Sequence, residues 1–169
     1  MSKYAERVRQ QLVPPAALAG FFRAGDLLVP VPRCAPRTAG VWAAADLACA
    51  LVHEGVGCAT WPGLRRISAV RKSATSARGS RPSVACHYAS FRLELPEHPP
   101  ESVVLIDDVI TRGRTLLAAA AHLREALPGA QIRAFALLRT CGLDPHIRTL
   151  LEPCRGEIRW DGGDAQRIP

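Results

Sequence analysis

The fold is decided by residues 102–138, which read SVVLIDDVITRGRTLLAAAAHLREALPGAQIRAFALL. Ser102 to Ile106 is a continuous run rich in β-branched residues, the pattern of a central parallel strand. A helix rich in Ala and Leu is predicted from Thr115 to Leu127, and Pro128-Gly129 ends it. Gln131 to Leu138 is the next predicted strand. Because a strand, a helix and a parallel strand form a right-handed crossover, we predict an α/β fold with a mainly parallel sheet flanked by helices.

Outward from this unit, the chain alternates between predicted helices, short strands and irregular segments. Residues 27–32, LLVPVP, predict a short buried strand whose two prolines leave few ladder hydrogen bonds at its end. Residues 71–90 are rich in Ser, Ala, Arg and Gly without a period, so we predict a long loop of a kind that is usually functional or disordered. The other predicted elements are helices at 4–24 (broken at Pro14-Pro15) and 38–52, and strands at 64–70, 91–95 and 157–160, the last within an otherwise irregular segment 141–169.

Length and composition limit the class of protein. A chain of 169 residues with 48% hydrophobic and 22% charged residues is one globular domain rather than a disordered chain. No apolar run approaches the ~20 residues of a membrane span, and the first residues lack the apolar core of a signal peptide, so we expect a cytoplasmic protein with no membrane partner. The six cysteines include no C-x-x-C pair, and we expect reduced thiols rather than disulfides or a metal site.

The net charge of +7 is concentrated in the middle of the chain. Residues 65–81 hold six basic residues and no acidic residue. Such a segment either binds a polyanion or is a solvated surface, and composition alone favours the solvated surface.

The predicted central strand runs directly into two carboxylates, Asp107 and Asp108. The loop that follows holds Thr111, Gly113 and Thr115. Loops at the carboxyl ends of parallel strands are where α/β proteins bind ligands, and glycine, hydroxyl groups and the main-chain N–H groups of a helix start suit a phosphate. Two carboxylates beside such a cradle suit ribose hydroxyls or Mg²⁺, so we predict a site for a sugar phosphate. The alternative is that the two aspartates only cap a turn.

Residues 103–115, VVLIDDVITRGRT, resemble the phosphoribosyl-pyrophosphate (PRPP) binding motif of the type I phosphoribosyltransferases. The family pattern is an apolar strand, two acids, two apolar residues and Thr-x-Gly-x-Thr, and every position fits. Arg112 and Arg114 stand where the family often has Thr and a small residue. The resemblance implies the type I phosphoribosyltransferase fold over a single domain, residues 1–169. Its core would span about residues 27–140, and the N-terminal helix and residues 141–169 would form a small variable hood.

The same resemblance implies roles for the residues of this motif. Asp107 and Asp108 would bind the 2- and 3-hydroxyls of the ribose. The main chain from Thr111 to Thr115 and the two threonine hydroxyls would hold the 5-phosphate. Mg²⁺ would arrive with PRPP, bridging pyrophosphate and ribose oxygens rather than occupying an all-protein site. The implied PRPP-binding set is Arg33, Asp107, Asp108, Thr111, Arg112, Gly113, Arg114 and Thr115.

Two further segments resemble parts of the family. LVPVPR at 28–33 is similar to the loop after the first core strand in a ComF-like branch, which implies that Arg33 contacts the pyrophosphate; an exposed loop arginine is the alternative. From this sequence we do not expect the amino-terminal zinc module that the branch usually carries. The long loop predicted at 71–90, which carries several basic residues, lies where the family has a flexible flap that closes over the substrates. The implied flap residues are Arg71, Lys72, Arg78 and Arg81, and the implied catalytic residues are Asp107, Asp108 and Arg81.

The activity that the resemblance implies is transfer of ribose 5-phosphate from PRPP, with Mg²⁺, to a nucleobase or another nitrogen acceptor, with release of pyrophosphate. Trp160 in the hood is a candidate to stack on the acceptor, although a Trp that covers the edge of the core is equally compatible. The alternative function is a non-catalytic module on the same fold that senses PRPP or a nucleotide, or binds nucleic acid. The sequence is compatible with a homodimer, and it does not identify the acceptor.

Overall fold

The structure, a computed structural model, describes residues 1–14, 16–36, 40–71, 81–140 and 152–168. Within these ranges the chain forms four helices and eight strands. In chain order they are α1 (Ser2–Gln10), β1 (Leu27–Pro30), α2 (Ala43–His53), β2 (Ala59–Thr60), β3 (Leu64–Arg66), α3 (Val84–Ala89), β4 (Phe91–Leu93), β5 (Ser102–Ile110), α4 (Arg114–Ala126), β6 (Gln131–Arg139), β7 (Glu157–Trp160) and β8 (Ala165–Ile168).

Four parallel strands form the main sheet, in the order β2-β1-β5-β6. In the centre, Leu27 of β1 is opposite Val103 of β5, and the pairing ends where Pro30 is opposite Ile106. The prediction of an α/β fold with a mainly parallel sheet flanked by helices is therefore confirmed. None of the helices in the described ranges is both long and apolar enough to cross a membrane.

The two faces of this sheet are covered by different helices, because alternate strand residues point to opposite faces. On one face Leu28 and Val104 pack with Leu47 and Leu51 of α2 and with α1. On the other face Val29, Val103 and Leu105 pack with Leu116 and Leu123 of α4. The connection from β1 through α2 leads outward to β2, whereas the connection from β5 through α4 leads outward to β6. The winding thus reverses between β1 and β5, and ligands bind beyond the strand ends at such a reversal.

Strand β5 is longer than predicted. It continues through Asp107 and Asp108 to Ile110, because β6 still pairs with it there, with Asp107 opposite Ala136 and Ile110 opposite Arg139. The neighbouring β1 has already ended, so the two carboxylates lie beside an open strand edge. The alternative that they cap a turn is therefore wrong.

The predicted long loop at 71–90 is wrong at its carboxyl end, where α3 spans Val84–Ala89. Ser83 begins this helix, since its hydroxyl accepts a hydrogen bond from the main-chain N–H of Cys86 at 3.1 Å. The strand predicted at 64–70 is shorter than expected, as β3 ends at Arg66. It pairs with β4 in antiparallel fashion, with Arg66 opposite Phe91.

The carboxyl-terminal segment contains a hairpin of which only the first strand was predicted. The strand at 157–160 is confirmed as β7, and it pairs with the unpredicted β8, with Trp160 opposite Ala165. Ile158 of β7 packs into the core beside α4. The hairpin thereby lies against the loop that joins β5 to α4. No disulfide links the described cysteines, which are Cys34, Cys49, Cys58, Cys86 and Cys154.

Candidate functional site

A cavity of about 400 Å³ opens beyond the carboxyl ends of β1 and β5. One wall is the segment after β1, which carries Arg33, and the other runs from Asp107 at the end of β5 to Thr115 at the start of α4. Arg71 and Arg81 also line it, whereas Lys72 and Arg78 lie outside the described residues. The structure thus brings together most of the predicted site: Arg33, Arg71, Arg81, Asp107, Asp108, Thr111, Arg112, Gly113, Arg114 and Thr115.

The two carboxylates belong to consecutive residues at the open edge of β5, and both line the cavity. One oxygen of Asp107 accepts the main-chain N–H of Asp108 at 3.0 Å, and one oxygen of Asp108 accepts that of Val109 at 3.0 Å. Burial and the adjacent Asp108 carboxylate raise the pKa of Asp107 to about 8. Near neutral pH this pair carries less than two negative charges and can both donate and accept hydrogen bonds to hydroxyl groups.

The loop after β5 ends at the N-terminus of α4. Gly113 caps the helix with a φ of +86°, a left-handed conformation that favours glycine. A Cβ at this position would also lie 2.9 Å from the Ile158 side chain, so the hairpin and the loop conformation both require glycine. The first main-chain N–H groups of a helix lack intrahelical acceptors, and here the residues from Gly113 to Leu116 line the cavity. This end of α4 can bind an anion.

Both arginines of the loop contact the β7–β8 hairpin. Arg112 Nη1 lies 2.9 Å from Asp164 Oδ2, and Arg114 makes a two-pronged ion pair with the same carboxylate. These hydrogen bonds hold the pKa of Asp164 well below its usual range. Arg114 Nη1 also donates to the carbonyl oxygens of Arg81 and Pro82, at 3.3 and 3.1 Å. Arg114 therefore joins the loop, the hairpin and the segment before α3.

Arg66 is a site residue that the sequence prediction missed. Its side chain is only 6% exposed, yet it lines the cavity. It donates to the Arg33 carbonyl and the Ser90 hydroxyl, and its guanidinium stacks over the Phe91 ring at 4.3 Å. Within the described ranges no carboxylate oxygen lies within 4 Å of it, and burial lowers its pKa to about 10. An unneutralised buried cation at a cavity wall favours an anionic ligand.

Two other cavity residues, His87 and Trp42, were also not predicted to belong to the site. His87 of α3 is buried, and the pKa of His87 is lowered to about 4 by burial and by the charges of Arg66 and Arg114. Trp42 precedes α2 and lies in the cavity lining, with its indole N–H donating to the Val31 carbonyl at 2.9 Å. Trp160, the predicted acceptor contact, is 54% exposed and is not among the cavity-lining residues of the described chain.

Sequence patterns offer only weak signals for these residues. Arg66 lies in the acid-free segment 65–81, which could have drawn attention to it. His87 lies in a stretch without periodicity, and Trp42 lies at a helix start, so neither position has a distinguishing pattern.

Carboxylates in the cavity could contact a divalent cation that a phosphate ligand brings with it. Within the described part of the chain, the acids that line it are Asp107 and Asp108. Among the described residues no group of three or more His, Cys, Asp or Glu side chains is arranged to hold a metal ion. A cation in this cavity would therefore take most of its ligands from the bound molecule and from water.

Comparisons with known proteins do not assign this chain to a class. A scan against protein-family models finds no match to it. A search of curated proteins finds no match either. The functional assignment therefore rests on the cavity and its residues.

Proposed function

We propose that this protein is a type I phosphoribosyltransferase. It would bind PRPP with Mg²⁺ in the cavity between β1 and β5 and transfer ribose 5-phosphate to a nitrogen acceptor, releasing pyrophosphate. The observation that carries the proposal is the composition of this one cavity. A carboxylate pair, a helix N-terminus and several arginines converge there, which suits the hydroxyls, the 5-phosphate and the pyrophosphate of one ligand.

The ribose would bind at the aspartates. Two vicinal hydroxyls can each donate to a carboxylate oxygen of Asp107 or Asp108, and the open edge of β5 leaves both side chains accessible from the cavity. The 5-phosphate would accept hydrogen bonds from the first N–H groups of α4 and from the hydroxyls of Thr111 and Thr115. These groups lie on one loop, so the ribose and its phosphate would be held in one orientation.

The pyrophosphate would lie on the arginine side of the cavity. Arg33 is exposed in the segment after β1, and Arg71 and Arg81 also line the cavity. Mg²⁺ bound to PRPP would neutralise part of the pyrophosphate charge. As the bond between C1 of the ribose and pyrophosphate breaks, charge moves onto the leaving group, and guanidinium groups fixed around it stabilise that charge. The acceptor nitrogen then bonds to C1, and its proton passes to solvent or to a base.

The acceptor would enter beside Trp42, an aromatic side chain in the cavity lining. An aromatic face is a general platform for a planar base. This assignment replaces Trp160 as the residue we expect to contact the acceptor. A nucleic-acid interface is favoured less, because these arginines surround a recessed cavity that also contains two carboxylates, and carboxylates repel phosphate backbones.

Turnover distinguishes the enzyme from a PRPP-binding module. Incubation with PRPP, Mg²⁺ and a panel of purine and pyrimidine bases and ammonia should release pyrophosphate with at least one acceptor. The double variant Asp107→Asn/Asp108→Asn should lose this activity. Glu97→Gln, an acid-to-amide change in an exposed turn, is the matched control and should retain it. If the protein binds PRPP but releases no pyrophosphate with any acceptor, it is a PRPP sensor rather than an enzyme.

A further inference from the structure

Three side chains form a line of contacts behind the loop that would bind the 5-phosphate: Arg66, His87 and Thr115. Arg66 Nη2 lies 3.4 Å from Nδ1 of His87, and Nε2 of the same ring lies 3.4 Å from Oγ1 of Thr115. Arg66 and His87 are buried, whereas Thr115 is partly exposed and faces the cavity as one of its lining residues. The contacts therefore lead from a buried positive charge to the cavity wall.

Arg66 determines which nitrogen of His87 carries the proton. A guanidinium has only N–H donors, so Nδ1 of His87 must be the acceptor in this contact. The pKa of His87, about 4, keeps the ring neutral near pH 7. A neutral imidazole with an unprotonated Nδ1 carries its proton on Nε2. The Nε2–H group therefore donates to the Thr115 hydroxyl oxygen.

This donation sets the direction of the Thr115 hydroxyl. A hydroxyl group has one proton to donate and lone pairs that accept. Because the Nε2–H group of His87 donates to a lone pair of the Thr115 hydroxyl oxygen, the hydroxyl proton stays available for an acceptor on the cavity side. We propose that Arg66 and His87 are positioning residues that hold the Thr115 hydroxyl as a donor to a phosphate oxygen. This inference rests on the proposed function, since it assigns the phosphate to that loop.

The surrounding contacts hold the three residues in place. Tyr88, next to His87 on α3, stacks on His122 of α4 at 4.0 Å between ring centroids, and its hydroxyl donates to Glu125. Helix α3 is thus fixed to the helix that carries Thr115. Arg66 in turn donates to the carbonyl oxygen of Arg33, the predicted pyrophosphate contact. The same guanidinium therefore supports both sides of the cavity.

The tautomer can be tested without any ligand. Long-range ¹H–¹⁵N correlation spectra of protein labelled with ¹⁵N-histidine at pH 7 report which ring nitrogen carries the proton, and the spectrum of His87→Gln identifies the His87 signals. We expect a neutral ring protonated at Nε2. A ring protonated at Nδ1, or an imidazolium, would overturn the inference whatever the protein binds.

A double-mutant cycle tests the effect on the ligand. Glutamine at position 87 keeps an N–H donor near the place of Nε2, whereas methionine matches its length without a donor, so His87→Gln and His87→Met form a matched pair. Titration calorimetry with PRPP and Mg²⁺ should show a loss of about 10- to 100-fold for Thr115→Val, the range for a hydrogen bond to a charged group. His87→Met should lose about 3- to 10-fold and His87→Gln less than about twofold.

The coupling between the two positions decides between positioning and a structural role. In the Thr115→Val background, His87→Met should cause no further loss of affinity, because no hydroxyl remains to be oriented. An equal loss in both backgrounds, or an equal loss for His87→Gln and His87→Met, would overturn the inference while leaving PRPP binding intact.

The same titrations with pyrophosphate and inorganic phosphate separate this inference from the proposed function. A wild type that binds phosphate or pyrophosphate but not PRPP would refute the proposed function, and the cycle run with that anion would still decide the role of His87. A wild type that binds none of the three anions would overturn both.

Discussion

Replacement of Asp107 by asparagine should change stability and PRPP binding in opposite directions. Burial and the neighbouring Asp108 raise the pKa of Asp107 from 3.8 to about 8. Between about pH 4 and pH 8, the folded protein keeps a proton on Asp107 that the unfolded chain has already released. The free energy of unfolding therefore falls as the pH rises through this window. Each pH unit within it costs about 1.36 kcal/mol, so the cost reaches about 4 kcal/mol at pH 7.

Asp107→Asn removes this cost because the amide cannot ionise. We expect the free energy of unfolding of the variant to exceed that of the wild type by about 1–4 kcal/mol at pH 7. Near pH 4 the two values should match, because the folded wild type then carries a neutral Asp107 and the variant carries a neutral amide. Urea unfolding at pH 4, 5.5, 7 and 8 measures the difference. The exposed Glu97→Gln variant, as control, should show no comparable trend. A difference between Asp107→Asn and wild type that does not grow with pH would refute the argument.

The same variant should bind PRPP more weakly. At pH 7 Asp107 is mostly protonated, so we expect a loss of affinity of about 2- to 10-fold, the range for a neutral hydrogen bond worth about 0.5–1.5 kcal/mol. Above pH 8, where Asp107 is ionised, the loss should exceed about tenfold, because a hydrogen bond to a charged group is worth roughly 1.5–3 kcal/mol. A variant that is both more stable at pH 7 and weaker in binding is the signature of a carboxylate held for function at a cost in stability. Unchanged affinity in a stabilised variant would mean that Asp107 does not contact the ligand.

Three further predictions concern other residues around the cavity. Asp164→Asn breaks the ion pairs with the two loop arginines and should lower the free energy of unfolding by about 1–2 kcal/mol, whereas Glu157→Gln, at an exposed ion pair, should change it by less than about 0.5 kcal/mol in the same urea assay. As the pH falls from 6.5 to 4, the unfolded chain takes up a proton on His87 that the folded protein does not, so the free energy of unfolding of the wild type should fall by up to about 3 kcal/mol. His87→Gln should abolish this fall, and urea unfolding of both proteins across this range measures it. Trp42→Ala should raise the KM for the acceptor about tenfold, since base stacking is worth roughly 1–3 kcal/mol, and Trp160→Ala should leave it within about twofold.

The central part of the fold could be predicted because local pattern and tertiary role agree there. The run at 102–106 is buried on both faces between β1 and β6, which is why it is continuous rather than alternating. The Ala- and Leu-rich segment after Gly113 forms α4 for the same reason, since its apolar side packs on the sheet. Where one segment satisfies both propensity and burial, its sequence is sufficient to predict it.

Other parts of the structure could not be predicted, because they depend on short elements or on pairings between segments far apart in the sequence. Helix α3 has six residues, too few to display a helical period, and its start depends on the Ser83 cap. Arg66 becomes a cavity residue only because β3 pairs with β4, more than twenty positions away. Asp164 meets the loop arginines through a hairpin whose second strand has no distinctive pattern.

The site was predicted in its linear motif and missed in its supporting residues. Asp107 to Thr115 form one continuous segment, from the end of β5 to the start of α4, so their proximity is guaranteed by the chain itself. Arg66, His87 and Trp42 reach the cavity from three other elements, and a single sequence holds no information on such contacts. The residues that support the motif from other elements therefore had to come from the structure.

PRPP binding is the most direct test of the central claim, that the cavity between β1 and β5 binds this ligand. Titration calorimetry should be run with PRPP in the presence of Mg²⁺ on the wild type and on Asp107→Asn/Asp108→Asn, with circular dichroism to verify that both are folded. We predict saturable binding to the wild type and at least about tenfold weaker binding to the double variant. No binding to the wild type, or equal binding to both proteins, would contradict the account.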